Sequence, residues 1–474
     1  MFERVQPESV SVDSRGIIRF LEDMKRQKLH MHSLMILRHG KVLANTSFEP
    51  WSSENLHMLF SLSKSFTSLA VGFAVQDGLL RTEDRLVDFF PDLLPAGPCE
   101  NMKKVTVRHL LTMNTGHHEE PRHETDRWEE EFLRSYVEHE PGSHFLYNTF
   151  GTYMLSAVVQ KATGKKLLDW LREKLMDPLD MSGDIWTEES PSGVATGGYG
   201  LNVRIEDVAK LGQFCLQEGM WEGRQLLNPQ WIRDARTPWS DNSVPGGEPS
   251  DWGSGYGYQF WMCMPDHVYR GDGAFGQFCV VLPDQDMVVA INSGVEDMGA
   301  VLKSVWKNIL PAVDPDGGIP ADPPAVPEEL KTPARWEDDG EETAAPVPED
   351  GWIGRYVFFD GIRDGESCLT IRKDAAVLDF SLFSGTVPFS PDEWRPVIRE
   401  TPGWRKGAEH YMDQAYARAA RQGDTLILHI CFVSTPFEQI LRLTFTGHGV
   451  RLRARQNVGM GPTDFRLCGY KAAD

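Results

Sequence analysis

The chain has 474 residues, of which 41% are hydrophobic and 25% charged, a composition that is sufficient for a full hydrophobic core. At roughly 100–200 residues per domain, this length predicts two or three domains. Its 48 basic and 69 acidic residues give a net charge of −21, which argues against nucleic-acid backbones and anionic membrane surfaces as partners, because both would be repelled. The seven cysteines are odd in number and include no Cys-x-x-Cys pair, which favours free thiols in a reducing compartment.

The start of the chain has no apolar signal-peptide core, and no run approaches the length of about 18 apolar residues that a membrane helix needs. We therefore expect a cytoplasmic protein without a membrane partner, whose ligand is a small molecule.

Apolar periodicity predicts strands at both ends of the first 310 residues and helices between them. A helix over residues 13–28 is followed by a β-hairpin that turns at His39 and Gly40, and then by an apolar helix that begins near Ser61. Consecutive antiparallel strands are predicted over residues 252–293, and further helices over residues 105–114, 150–176 with a break at Gly164, 204–219 and 299–310. The pattern predicts an α+β fold, an α/β sandwich in which an antiparallel sheet packs against a helical cluster.

The rest of the chain differs in composition from the first 310 residues. Residues 311–350 are rich in proline and acids, which predicts a linker. Residues 351–474 contain many short β-type segments, typical of an all-β barrel or sandwich. We therefore expect a first domain over residues 1–310, a linker over 311–350 and an all-β accessory domain over 351–474.

The segment HMLFSLSKSFTSLAVGFAVQDGLL, which starts at His57, places Ser61 and Lys64 at the beginning of an apolar helix. Residues three apart share a helix face, so the lysine amine can lie beside the serine hydroxyl. A serine needs an adjacent base to act as a nucleophile, and burial lowers the pKa of a lysine so that its amine can serve as that base. The helix N-terminus would also favour negative charge near Ser61.

Ser-x-x-Lys alone is a weak signal, because the pattern occurs again at Ser304 and Lys307 on an ordinary amphipathic helix. The first copy differs in its surroundings, since the segment SFTSLAVGFAV after Lys64 carries no charge. An ammonium group in such a segment would be costly without a function. We therefore take Ser61 and Lys64 as candidate catalytic residues.

Several segments within about residues 15–310 resemble the penicillin-recognising serine hydrolases, in particular class C β-lactamases, DD-peptidases and family VIII esterases. In chain order they include MLFSLSKSFTSLAVGFAVQDGLL, VTVRHLLTMNTGHHEEP, PGSHFLYNTFGTYMLSAVV and YGYQFWMCMPDHVYRGDGAFGQFCVVLP. The resemblance implies an α/β domain with an antiparallel sheet, and a site between the sheet and the helical region.

The family's second motif, Tyr-x-Asn, is matched by Tyr147-Asn148-Thr149. The resemblance implies that Tyr147 shuttles a proton between Ser61 and the leaving group, with Lys64 as the cation that would favour its ionised form. Thr149 stands where the family has a substrate-binding asparagine, and it offers one hydroxyl in place of an amide. Asn148 is the adjacent residue that could supply the missing contact.

The family's third motif, Lys-Thr-Gly or His-x-Gly, is matched by Gly271-Asp272-Gly273, without a cationic first residue. Arg270 lies one position early, so the cation that usually receives a substrate carboxylate is missing or displaced. The resemblance implies an oxyanion hole formed by the backbone N–H groups of Ser61 and Ala274. It also implies that the substrate lies along residues 271–273, where the glycines permit a close approach.

The loop HHEEPRHE, residues 117–124, combines histidines and glutamates, which suit zinc. Its spacing is not His-x-x-x-His on an established helix, so a solvated loop is the favoured interpretation. By the resemblance this loop borders the pocket, where His117 or His118 would contact the substrate. We expect neither a metal nor a cofactor.

The favoured function is a serine hydrolase that forms an acyl-enzyme with a small ester or amide, including D-amino-acid and cyclic amides. The alternatives are β-lactamase activity, DD-peptidase or D-aminopeptidase activity, and a catalytically silent binding protein on the same fold. A weaker option is a metal-dependent hydrolase that uses residues 117–124. The sequence leaves open whether Lys64 or Tyr147 is the acylation base, and whether the chain forms a homo-oligomer.

Overall fold

The computed structural model describes residues 2–95, 97–314, 347–358, 367–380, 384–391, 393–398, 414–447 and 449–472. Most of the predicted linker, residues 311–350, lies outside these ranges. The described residues on its two sides build separate hydrophobic cores. We call residues 2–314 the amino-terminal region and residues 347–472 the C-terminal barrel.

The helices of the amino-terminal region agree with the main apolar periodicities. They are α1 (Ser14–Arg26), α2 (Ser63–Gln76), α3 (Leu86–Phe89), α4 (Val107–Leu111), α5 (Trp128–Arg134), α6 (Thr149–Thr163), α7 (Leu167–Leu171), α8 (Ile205–Leu216), α9 (Pro229–Ala235) and α10 (Met298–Ser304). The Asp13 side chain caps α1 by accepting from the backbone N–H of Arg15. Within the described ranges, none of the helices combines the length and the apolar character needed to cross a bilayer.

The central sheet of the amino-terminal region joins strands from both ends of that region. The strands are β1 (Met31–Arg38), β2 (Lys41–Ser47), β3 (His57–Met58), β4 (Trp186–Thr187), β5 (Leu201–Val203), β6 (Met220–Trp221), β7 (Arg224–Gln225), β8 (Trp261–Met262), β9 (Tyr269–Gly273), β10 (Gln277–Leu282) and β11 (Met287–Ser293). Six of them pair antiparallel in the order β2-β1-β11-β10-β9-β8. The first hairpin therefore pairs with the last strand, with Leu34 opposite Ile291.

Helices cover both faces of this sheet. Strands β1, β10 and β11 are buried along their whole length, as expected for strands that lie between two layers. One hydrophobic cluster joins the sheet to α2, α6 and α8, and a second joins it to α1 and α10. The arrangement confirms the predicted α+β fold.

The C-terminal barrel is a nearly closed antiparallel sheet, which confirms the predicted all-β fold. Its strands are β12 (Gly354–Phe358), β13 (Ser367–Ile371), β14 (Ala375–Asp379), β15 (Ser384–Pro388), β16 (Arg395–Pro396), β17 (Ala415–Gln422), β18 (Thr425–Phe432), β19 (Glu438–Thr446), β20 (Gly449–Gln456) and β21 (Asp464–Lys471). They pair in the order β15-β14-β13-β12-β21-β20-β19-β18-β17-β16. Reciprocal backbone hydrogen bonds between Thr386 and Ile398 join the two ends of this order.

Candidate active site

Ser61 lies in a 3-10 turn, Phe60–Leu62, that joins strand β3 to helix α2. Pairing of β3 with β5 fixes the chain before the turn, and the backbone N–H of Leu59 donates to the carbonyl of Leu201 at 3.0 Å. Phe60 has a φ of 47°, a conformation that residues with a Cβ seldom adopt and that is concentrated at functional sites. We call residues 59–62 the nucleophile turn, and it brings Ser61 to the N-terminal end of α2.

Lys64 contacts Ser61 from the first turn of α2. Its Nζ lies 3.0 Å from Oγ of Ser61, 2.8 Å from the carbonyl of Gly198 and 3.2 Å from Oγ1 of Thr149. The side chain is 1% exposed, and this burial lowers the pKa of Lys64 to about 7. A large fraction of the amine is therefore uncharged near neutral pH, within hydrogen-bonding distance of the serine hydroxyl.

Tyr147 completes the contacts around the Ser61 hydroxyl, to which it is hydrogen-bonded. Its ring stacks on Trp261 with 5.2 Å between centroids, and Nζ of Lys64 lies 4.8 Å from the ring centroid. Burial, together with the nearby Asp272 carboxylate, raises the pKa of Tyr147 well above its ordinary value. The phenol is therefore protonated at neutral pH, in contrast to the ionised form that the sequence argument considered.

The proposed oxyanion donors lie at the ends of two elements that meet. Ala274 follows strand β9, and Ser61 lies in the nucleophile turn. A Cβ at Gly273 would come within 1.9 Å of the carbonyl oxygen of Leu59, so the end of β9 touches that turn. Among the described residues, neither Ser61 nor Ala274 has a partner for its backbone N–H.

The glycines of the third motif serve this close approach. A Cβ at Gly271 would lie 2.4 Å from side-chain atoms of both Leu62 and Ser65, and Gly273 faces the carbonyl of Leu59. The space that the missing side chains leave is filled by the nucleophile turn and α2. The two glycines therefore let the protein's own backbone approach the strand, and the substrate contact expected along residues 271–273 stays a prediction.

Arg270 and Asp272 form a buried ion pair beside the site. Nε and Nη2 of Arg270 lie 3.0 and 2.9 Å from Oδ2 of Asp272, and both side chains are buried. The guanidinium also lies over the ring of Trp252, and Trp261 hydrogen-bonds to Asp272. Burial raises the pKa of Asp272, and Arg270 opposes that effect. Because its charge is paired with Asp272, Arg270 does not replace the missing carboxylate-binding cation.

Residues 148 and 149 form the start of helix α6. Asn148 caps the helix, since its Oδ1 accepts from the backbone N–H of Gly151 at 2.8 Å. The backbone N–H of Thr149 donates to Oε1 of Glu120 at 2.5 Å, while its hydroxyl faces Lys64. The side-chain oxygen of Asn148 is thus used by the cap, and Thr149 contacts the Lys64 amine directly. Substrate binding by either residue stays a prediction.

The loop over residues 117–124 does not gather its histidines into one metal site. His117 is buried, with its two ring nitrogens 2.8 Å from the Thr115 hydroxyl and 2.7 Å from the Ser135 hydroxyl, so both nitrogens already have partners within the protein. Burial lowers its pKa to about 4. His123 stacks on Trp128 at 3.9 Å.

Two other groups in the described part of the chain have ligand atoms close enough to hold a metal ion. Within each group these atoms lie within 4.8 Å of one another, and the groups are His118 with His139 and His144, and His429 with Cys431 and Glu438. The second group is buried in the C-terminal barrel, and its members already hydrogen-bond to one another.

A cavity of 730 Å³ opens beside Thr149, whose hydroxyl contacts the Lys64 amine. Its wall comes from the loop 117–124 and from helices α5 and α6, and is formed by Glu119, Glu120, Pro121, Arg122, His123, Trp128, Thr149, Phe150, Tyr153 and Tyr199. Sequence reasoning selected the loop but not the contributions of Trp128, Tyr153 and Tyr199. The first two lie in helices α5 and α6, and Tyr199 lies in the loop before strand β5. The cavity has room for a small organic substrate.

The fold and this Ser-Lys-Tyr arrangement define a class of serine hydrolases that includes esterases, amidases and peptidases. A family model described as Beta-lactamase matches residues 19–312, which is more than half of the chain. The chain belongs to the Beta-lactamase family.

Known proteins resemble the chain at low identity. The 6-aminohexanoate-dimer hydrolase of Paenarthrobacter ureafaciens is 24% identical over 281 residues, which cover 54% of this chain and 71% of that protein. Another curated relative, from Alkalihalophilus pseudofirmus, is 26% identical over 211 residues. The matched residues cover 40% of this chain and 57% of that protein.

Solved structures share the fold of one or both parts of the molecule. The octameric penicillin-binding protein homologue from Pyrococcus abyssi has a TM-score of 0.51 and 17% identity over 96% of this chain and 99% of that chain. A family VIII carboxylesterase has the same TM-score and identity over 65% of this chain and 99% of that chain. At these identities the likeness concerns the fold alone.

Proposed function

We propose that the chain is a serine hydrolase in which Ser61 forms an acyl-enzyme with a small ester or amide. The observation that carries the proposal is the 3.0 Å contact between Oγ of Ser61 and Nζ of Lys64, an amine whose pKa burial lowers to about 7. A nucleophile with an adjacent uncharged base is the minimum that this chemistry needs.

In the proposed acylation step, the Lys64 amine takes the proton of the Ser61 hydroxyl while Oγ attacks the substrate carbonyl carbon. The carbonyl oxygen then carries negative charge, which the backbone N–H groups of Ser61 and Ala274 stabilise. The low pKa of Lys64 and the high pKa of Tyr147 both favour the lysine as base. The proposal therefore takes Lys64, and not Tyr147, as the acylation base.

Collapse of the tetrahedral intermediate breaks the bond to the leaving group. Tyr147 is protonated and hydrogen-bonded to Ser61, so its O–H is in position to donate a proton to the departing oxygen or nitrogen. The Lys64 ammonium, 4.8 Å from the Tyr147 ring centroid, then returns a proton to the phenol. Water hydrolyses the acyl-enzyme by the reverse sequence, which releases a carboxylic acid and restores the Ser61 hydroxyl.

The substrate class follows from the charges at the site. Arg270 is paired with Asp272, so neither a substrate carboxylate nor a β-lactam carboxylate finds the cation that the family's third motif provides. The names of two similar proteins, 6-aminohexanoate-dimer hydrolase and family VIII carboxylesterase, support amides and esters respectively. We therefore favour small esters and amides without a carboxylate next to the reacting carbonyl.

Self-association is a further part of the proposal. It is supported by the octameric state named for the Pyrococcus abyssi homologue, which this chain matches over 96% of its length. Light scattering coupled to size-exclusion chromatography measures the mass directly, and the mass of a single chain would overturn this part.

The experiment is incubation with an alkyl fluorophosphonate, followed by intact-mass and peptide mass spectrometry. We expect one adduct on Ser61 in the unmodified protein and none in a Ser61→Ala variant. Ser63→Ala is the matched control, because Ser63 lies two residues after Ser61, at the start of α2, and donates to the carbonyl of Phe60. Absence of an adduct, or an adduct that survives in Ser61→Ala, would overturn the proposal.

A further inference from the structure

The C-terminal barrel touches the amino-terminal region beside the nucleophile turn. The contact comes from the turn between β18 and β19, residues 433–437, which we call the docking turn. The ring of Phe437 lies with its centroid 6.3 Å from that of Phe60 and 5.9 Å from that of Phe275, in edge-on arrangements. Phe60 and Phe275 are themselves 5.3 Å apart, so the three rings form one cluster.

The two partners of Phe437 are the neighbours of the two proposed oxyanion donors. Phe60 directly precedes Ser61, and Phe275 directly follows Ala274. Both phenylalanines have positive φ values, 47° and 66°, a backbone conformation that persists only where the surrounding structure holds it. The ring cluster is the contact that joins these two strained positions to each other and to the barrel.

The docking turn is fixed by polar contacts as well. The backbone N–H of Met58 donates to the carbonyl of Ser434 at 2.9 Å, only three residues before Ser61. Within the turn, the backbone N–H of Phe437 donates to the Thr435 hydroxyl at 3.0 Å. Nδ2 of Asn457 donates to the carbonyls of Pro436 and Gly294, at 2.8 and 3.2 Å.

A second set of contacts flanks the turn. Nδ1 of His30, from the amino-terminal region, lies 2.7 Å from Oε1 of Glu438, and Nε2 of His429 lies 2.8 Å from the other oxygen of the same carboxylate. The buried Trp51 packs against Cys431 and Val433. The docking turn is therefore a rigid part of the interface, able to hold Phe437 in one place.

We propose that Phe437 of the C-terminal barrel is a positioning residue for the oxyanion hole, which it acts on through Phe60 and Phe275. The barrel then completes the active site of the amino-terminal region, a role for which its own sequence carries no chemical signature. The inference rests on the proposed function, since it assigns the donors of Ser61 and Ala274 to acyl transfer. Small displacements of such donors weaken transition-state binding more than substrate binding.

The test compares Phe437→Leu and Phe437→Ala with Phe437→Tyr in the full chain, using hydrolysis of p-nitrophenyl butyrate. We expect kcat to fall about 10- to 100-fold in the leucine and alanine variants, with KM within about threefold of the unmodified protein. The tyrosine variant keeps the ring and should retain kcat within about threefold. Affinity for phenylboronic acid, which mimics the tetrahedral intermediate, should fall in parallel with kcat.

Phe445→Leu is the matched control, because Phe445 is a buried barrel residue stacked on Trp352 at 4.5 Å and edge-on to Tyr356. It should lower the unfolding temperature and leave kcat unchanged. Normal kcat in both Phe437→Leu and Phe437→Ala, or an equal loss of kcat in Phe445→Leu, would overturn the inference while the proposed function stands. An unreactive Ser61 in the unmodified protein would overturn both.

Discussion

The Ser-x-x-Lys pattern occurs twice in the chain, at Ser61 with Lys64 and at Ser304 with Lys307, and the two lysines lie in opposite environments. Lys64 is 1% exposed and its Nζ lies 3.0 Å from the Ser61 hydroxyl. The side chain of Lys307 is 65% exposed, and the Ser304 hydroxyl donates to Asp23 instead, at 2.9 Å. Nζ of Lys307 lies 4.0 Å from Oδ1 of the same aspartate.

The spacing of a serine and a lysine three residues apart only makes it possible for the two to act as nucleophile and base. In the second copy the lysine is exposed to solvent, and the buried Ser304 hydroxyl donates to Asp23 where α1 packs against α10. In the first copy, burial makes the charged form of the amine unfavourable and leaves the serine as its neighbour. The environment of the lysine, and not the motif, distinguishes a candidate reagent from a structural pair.

The largest expected effect comes from replacing Lys64, and Lys307 provides the matched comparison. Lys64→Met keeps a buried, unbranched side chain but removes the base, so the rate of Ser61 acylation by a fluorophosphonate should fall about 10⁴-fold. Lys307→Met should leave the rate within about twofold, because an exposed lysine far from the reaction contributes little. An equal loss of acylation rate in the two variants would contradict the claim that only Lys64 acts as a base.

A smaller effect is expected at Tyr147, and its size should depend on the leaving group. Tyr147→Phe removes the proton donor, which should slow hydrolysis of an anilide by about 10²-fold. A p-nitrophenyl ester, whose leaving group departs as an anion, should be slowed much less. Tyr258→Phe is the control, since that tyrosine is buried against Trp231, outside the site. A loss independent of the leaving group would contradict the assigned role.

The smallest expected effect concerns stability. The folded-state pKa of Lys64, about 7, lies below the unfolded value of 10.5, so between these values the unfolded chain binds more protons than the folded protein. The contribution of Lys64 to the free energy of unfolding is therefore lowest at and below pH 7, and it rises as the pH increases towards 10.5. The unfolding temperature of the unmodified protein should rise relative to Lys64→Met by about 2–4 °C between neutral and alkaline pH. Lys307→Met should show no such divergence in thermal denaturation monitored by circular dichroism.

The sequence was sufficient to predict the Ser61 helix and the main elements around it, because their apolar periodicity is long and uninterrupted. It did not reveal that Arg270 is paired with Asp272, although residues two apart on a strand share a face and the signal was present. The contact of Glu120 with the start of α6 had no such signal, since it joins a loop to a helix 29 residues away.

The barrel shows where local preference misleads. Strand β17 reads AYARAARQ, and alanine and arginine are good helix formers, so propensity argues against a strand there. In the structure the alternate residues Ala415, Ala417 and Ala419 are buried inside the barrel, and pairing with β18 decides the conformation. The contact of Phe437 with Phe60 joins positions 377 residues apart, which no periodicity in one sequence can indicate.

The central claim is that Lys64 acts as an uncharged base for Ser61, and the pH dependence of acylation tests it most directly. The second-order rate of fluorophosphonate labelling at Ser61 should rise with pH through one ionisation with a midpoint of about 7, the pKa of Lys64 in the folded protein. A rate that is independent of pH across this range, or that rises only near the ordinary lysine value of 10.5, would contradict the account.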